Sequence, residues 1–406
     1  MTFQNEPMNG QGPLAGLKVL DIATIIAAPF AAALMADYGA EVLKVELPGV
    51  GDGARDFPPF KDGKSLWWKV INRNKQFTTL DLRQEKGAEL FRRLVAEYDV
   101  LIENFRPGTL DRWGLTREEL WKINPSLVIL RVTGFGQDGP YSKRPGFARI
   151  FEAMGGLTYL TGEADGQPMH PGYPIGDAIG GLFGATSILA ALFAVRNDPE
   201  RRGEEIDLSL TESTLKLLEF LPIEYDQTGD IRERAGNANQ YSAPAAVFAT
   251  QDGRWVSLAG STNAVFARNC QAIGQPDLPK DPRFATNAER LKYTQELNQM
   301  FADYFASVPL DEALRSFEEA GGTLAPVYSI DQIYTDPQMR ARDAITRVAD
   351  DDFDVVRMQN VVPRFRNRKA RHRRAAGALG RDTDRVLSGL GLSDAEIATL
   401  RKDKIV

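Results

Sequence analysis

The segment Gly16-Leu-Lys-Val-Leu-Asp-Ile22 decides the fold, because an apolar run that follows a glycine is typical of a buried β-strand. Small residues at 29–37 predict a helix, and a second strand is predicted at 41–46. Strand, helix and strand in this order form a βαβ unit, in which the two strands are parallel. This part of the chain therefore predicts an α/β domain.

The same alternation continues toward the C-terminus. Further strands are predicted at 78–82, 100–105 and 127–133, and helices at 85–96 and 116–123. Strands that alternate with helices favour a doubly wound, mostly parallel sheet of the Rossmann-like kind.

The pattern changes after a strand predicted at 204–210 and a connecting helix at 213–225. Short strands mixed with helices follow, which predicts a smaller α+β domain joined to the first by long linkers. We divide the chain into a large domain at 1–205, a linker at 206–228, a small domain at 229–330, and a returning linker with C-terminal helices at 331–406.

Composition limits the class of protein. The 406 residues are 43% hydrophobic and 26% charged, as in soluble globular proteins. A formal net charge of -6 argues against a nucleic-acid binder. The single cysteine, Cys270, excludes an internal disulfide and favours a cytoplasmic location. The chain has only two histidines, His170 and His372, in addition to this cysteine. These ligands are too few for a structural zinc site, so we expect no metal.

No association with a membrane is predicted. Residues 1–12 are polar and lack the pattern of a signal peptide. The apolar stretch 179–195 is short for a membrane span and is interrupted by glycines, so it predicts a buried helix.

One carboxylate lies among small residues in Pro174-Ile-Gly-Asp-Ala-Ile-Gly-Gly181, just ahead of that helix. Asp177 could cap a helix that begins at residue 178, or it could act as a nucleophile. The two roles are compatible, because a helix N-terminus holds an acid ionised below its usual pKa of roughly 3.9. Glycines at 176, 180 and 181 would leave room for a substrate carbonyl beside it.

Two other motifs favour less specific interpretations. Gly134-Phe-Gly-Gln-Asp-Gly139 matches the dinucleotide-binding pattern G-x-G-x-x-G, but Pro140 follows at once and no helix begins there. We interpret it as a glycine-rich turn that closes a strand. The basic run at 364–374 is typical of a solvated surface, with anion binding as the alternative.

Several segments, taken in order, identify a family. They are 13–21, 36–46, 72–75, 80–82, 100–108, 111–114, 133–140, 175–178, 379–384 and 396–397. Together they resemble the family III CoA-transferases, a group that also includes the 2-methylacyl-CoA racemases, and they cover nearly the whole chain. The resemblance implies a dicarboxylate-type CoA-transferase with Asp177 as its nucleophile. Acyl transfer would pass through an aspartyl mixed anhydride and an aspartyl-CoA thioester, with oxyanions stabilised by backbone N–H groups of the glycine-rich surroundings.

The resemblance also implies the residues that contact CoA, which is a substrate and not a permanently bound cofactor. They are Ile26, Ala27, Lys75, Asn104, Phe105, Arg106 and Arg112. Leu47 stands where some relatives place an arginine, so Lys143 or Arg144 could supply part of the phosphate contact.

Two absences bear on the substrate. The racemases carry Gly-His-Asp where this chain has Gly146-Phe-Ala148, so the racemase alternative lacks its second base. The tetraglycine loop of formyl-CoA transferases is also missing near 236–242. We therefore expect a succinyl-CoA donor and a dicarboxylic acceptor such as a substituted succinate. The residues assigned to the acid pocket are Gly136, Gln137, Asn239, Gln240 and Tyr241.

The resemblance implies an assembly as well, since members of the family form interlocked dimers. We expect a homodimer or a hetero-oligomer with a related chain. A non-catalytic partner subunit remains a third alternative, although the intact Gly176-Asp-Ala178 argues against lost activity.

Overall fold

The computed structural model describes residues 12–406, and these divide into two compact units. The large unit contains the described residues up to Thr158 together with 170–229 and 342–406, and the small unit contains 159–169 and 230–341. We predicted that residues 1–12 are not a signal peptide, and residues 1–11 of that segment lie outside the described residues.

Residues 12–229 contain the strands that build the central sheet and a short hairpin. The strands are β1 (Lys18–Asp21), β2 (Glu41–Glu46), β3 (Phe60–Lys61), β4 (Lys64–Ser65), β5 (Gln76–Thr79), β6 (Val100–Glu103), β7 (Val128–Thr133) and β8 (Glu205–Ser209). The helices are α1 (Ala27–Asp37), α2 (Leu66–Ile71), α3 (Glu85–Val95), α4 (Thr109–Arg112), α5 (Arg117–Ile123), α6 (Ala148–Met154), α7 (Leu157–Leu160), α8 (Ile175–Asn197), α9 (Leu210–Lys216) and α10 (Leu221–Thr228).

Six of these strands form one sheet in the order β5-β2-β1-β6-β7-β8, and every neighbouring pair is parallel. The predicted βαβ unit and the mostly parallel sheet are therefore confirmed. The single connecting helix predicted at 213–225 is wrong, because the chain forms α9 and α10 with a break at residues 217–220.

Both faces of the sheet are covered, as a doubly wound fold requires. Along β1, Val19 packs with α1 and α8 on one face, whereas Leu20 packs with α3 and the C-terminal segment on the other. Side chains of successive strand residues point to opposite faces, so a continuous apolar run is buried on both sides.

Helix α8 lies against α1 through a row of small residues. Gly180, Gly184 and Ile188 are buried, but Leu182 and Phe193 are 53% and 71% exposed. The prediction of a fully buried helix was therefore wrong for one face. Within residues 12–406, α8 is long and apolar enough to cross a membrane by length and composition.

Residues 230–341 form most of the small unit, around an antiparallel sheet of order β11-β10-β9. Its elements are β9 (Ala245–Ala249), β10 (Trp255–Ala259), β11 (Leu324–Pro326), α11 (Asn263–Ala272), α12 (Asn287–Lys292), α13 (Thr294–Ser307), α14 (Leu310–Ala320), α15 (Ile330–Thr335) and α16 (Pro337–Ala341). Stacked rings of Phe248, Phe305 and Phe317 fill the core of this unit.

The small unit differs from the predicted range 229–330 in two respects. It continues to Ala341, and it includes residues 159–169. That segment belongs there because Arg234 donates to the carbonyl of Tyr159 and Gly236 donates to that of Gly162. Contacts of this kind join residues far apart in the sequence, so local patterns do not show them.

Residues 342–406 belong to the large unit. They form β12 (Ile345–Asp350), β13 (Asp354–Gln359), α17 (Thr383–Gly389) and α18 (Asp394–Lys402). Leu387 and Leu400 pack into the core beneath the sheet, and the N–H of Asp81 donates to the carbonyl of Ile405. The C-terminal segment thus supports the carboxyl end of β5.

Candidate active site

Asp177 lies in the first turn of α8, where it is the third helical residue. The helix begins at Ile175 because the carbonyl of Pro174 accepts the N–H of Ala178. The prediction that Asp177 caps a helix starting at residue 178 was therefore wrong. Its carboxylate accepts no hydrogen bond within the described part of the chain, although only 8% of the residue is exposed.

The environment of Asp177 raises its pKa instead of lowering it. Burial and, secondarily, the nearby carboxylate of Glu152 raise the pKa of Asp177 to about 7. We predicted a lowered pKa from the helix N-terminus, and that prediction was wrong. Loss of hydration and a like charge disfavour the ionised form, and no hydrogen bond compensates for them.

Glu152 is a buried residue of α6 that contacts the same turn. Its Oε1 accepts the N–H of Gly176 at 3.0 Å, and its Oε2 lies 3.4 Å from Nδ1 of His170. Thr158 Oγ1 lies 3.3 Å from the same His170 nitrogen. A second acid therefore lies near Asp177 and a histidine lies beside that acid, and neither residue stands out in the sequence. The Gly176 N–H, which we had counted among the oxyanion donors, is already engaged.

The glycines near Asp177 serve mainly to pack helices. A Cβ added at Gly180 would lie 2.1 Å from Leu210 Cδ2, and one at Gly181 would lie 2.9 Å from the carbonyl oxygen of Ala27. The expectation that both glycines open the site to substrate was therefore wrong. Residues i and i+4 share a helix face, so Asp177 lies on the same side of α8 as Gly181, toward the first turn of α1.

A cavity of about 200 Å³ lies at the carboxyl ends of β1, β2, β5 and β6. In open α/β sheets ligands bind at this edge. Apolar side chains line much of the cavity, and its lining includes two cations, the buried Lys44 and the exposed Arg83. The lining includes Ile22, Leu47, Leu80, Leu82, Phe105 and Trp113.

Of the predicted CoA contacts, Phe105 lies at this cavity, and Ile26 and Ala27 follow its lining residue Thr24 in the chain. Phe105 lines it and packs edge to face on Trp113 at 5.1 Å between ring centroids. Ile26 and Ala27 form the start of α1, which no side chain caps. The N–H groups of Ala27 and Ala28 are therefore left without an intrahelical partner, as at any helix N-terminus.

Asn104 acts on the backbone beside the cavity. Its Oδ1 accepts the N–H of Thr24 at 2.8 Å, and its Nδ2 donates to the Thr24 carbonyl at 2.7 Å. Asp52 Oδ1 accepts the N–H of Ile25, a β-branched residue held at a φ of 73°. Such backbone is strained, so the two polar side chains fix the turn that leads into α1.

Lys75 requires a correction. It is fully buried, and its Nζ donates to Asp21 Oδ2, Asn72 Oδ1 and the carbonyl of Pro29, each at 2.7 Å. All three ammonium protons are therefore used inside the protein, and the side chain does not reach a phosphate of CoA. In this chain Lys75 therefore joins the end of β1 to the segments at Asn72 and Pro29.

The other predicted cations are at the surface. Arg106 and Arg112 are exposed, and Arg112 donates to Thr109 Oγ1 at 3.0 Å. Arg144 lies over the ring of Tyr141. Arg83, which the sequence analysis did not select, lines the cavity directly after the 80–82 motif. Its position directly after that motif is the feature of the sequence from which Arg83 could have been selected.

The predicted acid-pocket residues lie in both units. Gly136 and Gln137 follow β7 in the large unit, where the Gln137 N–H donates to Asp207 Oδ2 at 2.9 Å. Gln137 Nε2 is buried and, within the described residues, has no hydrogen-bond partner. The small unit holds the remaining three, Asn239, Gln240 and Tyr241. Within residues 12–406 no group of three or more His, Cys, Asp or Glu side chains is arranged to hold a metal ion.

Comparison with known proteins identifies the class. Residues 14–383 match the sequence profile of CoA-transferase family III. The chain is 39% identical over 396 residues to succinyl-CoA–D-citramalate CoA-transferase of Chloroflexus aurantiacus, covering 97% of this chain and 98% of that protein. It is also 39% identical over 399 residues to the beta subunit of succinyl-CoA–L-malate CoA-transferase of the same organism, with coverages of 97% and 98%.

A solved structure agrees in fold. The crystal structure of a CAIB/BAIF family protein from Brucella suis superimposes with a TM-score of 0.81 and 32% sequence identity, covering 93% of this chain and 99% of the other. The chain belongs to the family III CoA-transferases and is an enzyme of CoA transfer.

Proposed function

We propose that this enzyme moves CoA from succinyl-CoA to a dicarboxylic acid, with Asp177 as nucleophile. An Asp177 oxygen attacks the acyl carbonyl carbon, and the C–S bond breaks. This step releases CoA thiolate and forms a mixed anhydride between succinate and Asp177. The thiolate then attacks Cγ of Asp177 and releases succinate, which leaves an aspartyl-CoA thioester. The acceptor carboxylate attacks Cγ, and the same steps run in reverse to form the new thioester.

The observation that carries this proposal is the Asp177 carboxylate itself, which lies buried at a helix N-terminus in a family III chain and accepts no hydrogen bond from the described residues. An ionised oxygen with few partners is a stronger nucleophile than one held by donors. The N–H groups of Ala27 and Ala28, which have no intrahelical partner and no side-chain cap among residues 12–406, lie on the side of α8 that Asp177 occupies. Donors of this kind suit the oxyanion that forms at the carbonyl under attack.

The cavity at the sheet edge suits the nucleotide part of CoA. Its apolar lining with Phe105 and Trp113 fits a flat adenine ring, and Arg83 offers a guanidinium to the phosphates. The strained turn at Ile25, held by Asp52 and Asn104, connects this cavity with the start of α1. We infer that CoA extends from the cavity along this turn toward Asp177.

Replacement of Arg83 by methionine tests the placement of CoA. We expect R83M to raise KM for succinyl-CoA about 10- to 150-fold with little change in kcat, since a charge-assisted phosphate contact contributes about 1.5–3 kcal/mol. R202M is a matched control, because Arg202 is also an exposed arginine paired with an aspartate. An unchanged KM in R83M would place the phosphates elsewhere.

The pH dependence of the first half-reaction follows from the raised pKa of Asp177, which is about 7. The ionised form attacks, so kcat/KM for succinyl-CoA should fall about tenfold per pH unit below that pKa. Initial rates between pH 5 and pH 9, with circular dichroism at each pH to confirm folding, measure the profile. An acid limb below pH 5 would show that Asp177 is not in the environment described.

The acceptor class is inferred from the relatives and from the site. Two relatives act, by name, on citramalate and malate, which are both short hydroxy-dicarboxylic acids. The buried Nε2 of Gln137, which has no hydrogen-bond partner in the part of the chain that the structure describes, is a donor that such an acid could use. Succinyl-CoA should be incubated with a panel of C4 to C6 mono- and dicarboxylic acids and the CoA thioesters identified by mass spectrometry.

Each outcome of that panel decides something. Transfer to dicarboxylates supports the proposal, and transfer confined to monocarboxylates refutes the acceptor class. In deuterated water, exchange at the Cα of an acyl-CoA without transfer would favour the racemase alternative instead.

We also propose that a second chain completes the assembly, as an interlocked homodimer or with a related subunit in the cytoplasm. Leu182 and Phe193 on α8 and Ile223 on α10 are 53%, 71% and 63% exposed. Large exposed apolar side chains of this kind are typical of interfaces between subunits. The relative named as a beta subunit supports the hetero-oligomeric alternative. Mass photometry of the purified chain, alone, distinguishes the two assemblies.

A further inference from the structure

Glu152 has no role in the transfer mechanism described above. It is 1% exposed, and it comes from α6, a different helix from the one that carries Asp177. Its Oε1 accepts the Gly176 N–H in the first turn of α8 at 3.0 Å. The residue at the N-cap of that helix, Pro174, offers no side-chain acceptor. Glu152 therefore caps α8 from outside.

This cap has a consequence for Asp177. An aspartate in the first turn of a helix commonly accepts a free backbone N–H of that turn. Here Glu152 accepts the Gly176 N–H, and the Asp177 carboxylate has no hydrogen bond within the described residues. The position of Glu152 is itself fixed, since its Oε2 lies 3.4 Å from His170 Nδ1.

The charge of Glu152 has a second consequence. Burial and this like charge both raise the pKa of Asp177, which means that the neutral form of the residue is favoured. An acylated or thioesterified Asp177 is also neutral. Conversion of the carboxylate into the aspartyl-CoA thioester transfers its negative charge to the released succinate, which carries it out of the site.

We propose that Glu152 is a positioning residue for Asp177. Glu152 caps α8 so that Asp177 does not, and the charge of Glu152 shifts the exchange toward the aspartyl-CoA thioester. The inference rests on the proposed function, because it requires Asp177 to form that thioester. The net step is balanced: carboxylate and succinyl-CoA give aspartyl-CoA and succinate, with one C–S bond broken and one formed. Charge is conserved and no other reactant is needed.

The variant E152Q separates the two contributions. Glutamine keeps an acceptor oxygen for the Gly176 N–H but removes the charge, whereas E152A removes both. A matched control is E200Q, which neutralises an exposed glutamate just beyond the C-terminal end of α8. At about 1.5 Å per residue, that end is about 30 Å from Asp177.

The experiment measures how much enzyme carries CoA at equilibrium. Each protein is incubated with succinyl-CoA and succinate at one fixed ratio, quenched in acid, and analysed by intact mass. We expect the ratio of aspartyl-CoA enzyme to free enzyme to fall about tenfold in E152Q for each pKa unit that the Glu152 charge contributes. E200Q should match the wild type. E152Q should keep the wild-type Tm and E152A should lose part of it.

The outcomes distinguish this inference from the function on which it rests. Equal ratios in wild type, E152Q and E200Q would overturn the role of Glu152 and leave the transfer mechanism in place. No CoA adduct in the wild type would overturn the covalent mechanism, and the role of Glu152 with it. A lowered ratio in E200Q as well would show a general charge effect and would also contradict the inference.

Discussion

Replacement of Asp177 by asparagine should lower the rate of CoA transfer at least about a thousandfold, since the removal of a covalent nucleophile leaves only binding and oxyanion contributions. The affinity for succinyl-CoA should stay close to that of the wild type, because the proposed nucleotide contacts at the cavity lie on other elements. Transfer is measured by mass spectrometry of product thioesters, and affinity by calorimetry.

Stability provides the control for this variant. The pKa of Asp177 rises from its ordinary value of 3.8 to about 7 on folding, so the folded state holds a proton that the unfolded state loses as pH rises between these values. The wild type therefore loses stability over that window. We expect D177N to exceed it in unfolding free energy by about 4 kcal/mol at pH 8 and to match it near pH 4. An active D177N, or an inactive one that is unfolded, would contradict this account.

Replacement of Lys75 by methionine should destabilise the protein by about 3–5 kcal/mol, because the buried carboxylate of Asp21 loses its nearest partner. Lys44 does not replace it, since its Nζ lies 3.7 Å from Asp21 Oδ2 and also serves Asp52. Urea unfolding at pH 7 measures the loss. Activity of the protein that remains folded should show an unchanged KM for succinyl-CoA.

The exposed Lys402 offers a matched control, and K402M should change stability by less than about 0.5 kcal/mol. In the double variant D21N/K75M the loss should be smaller than the sum of the two single losses, because the uncompensated charge is gone. A K75M protein of normal stability with a raised KM would restore the earlier assignment of Lys75 to CoA.

The central sheet could be predicted because each strand is a short apolar run between helical segments, and this pattern is local. The ends of α8 could not be predicted as well. Pro174 indicated that the helix begins before residue 178. The burial of α8 could not be predicted either, because its exposed face, with Leu182 and Phe193, is as apolar as its buried face. Hydrophobic periodicity marks a helix face only where the opposite face is polar.

The active site could likewise be predicted only in part from the sequence. Asp177 could be selected because its neighbours in the sequence carry the family motif, whereas its raised pKa depends on burial and, secondarily, on Glu152, 25 residues earlier. Lys75 was misassigned because sequence does not tell whether a charge near a motif is buried in an ion pair or exposed to a ligand. Arg83 was missed for the same reason.

Trapping of the intermediate tests the account most directly. The protein is incubated with succinyl-CoA without acceptor, treated with hydroxylamine, digested and analysed by peptide mass spectrometry. We predict a hydroxamate at Asp177 of the wild type, dependent on succinyl-CoA and absent when free CoA replaces it. An active wild-type enzyme without modification at Asp177, or with modification at another carboxylate such as Glu152, would contradict the account.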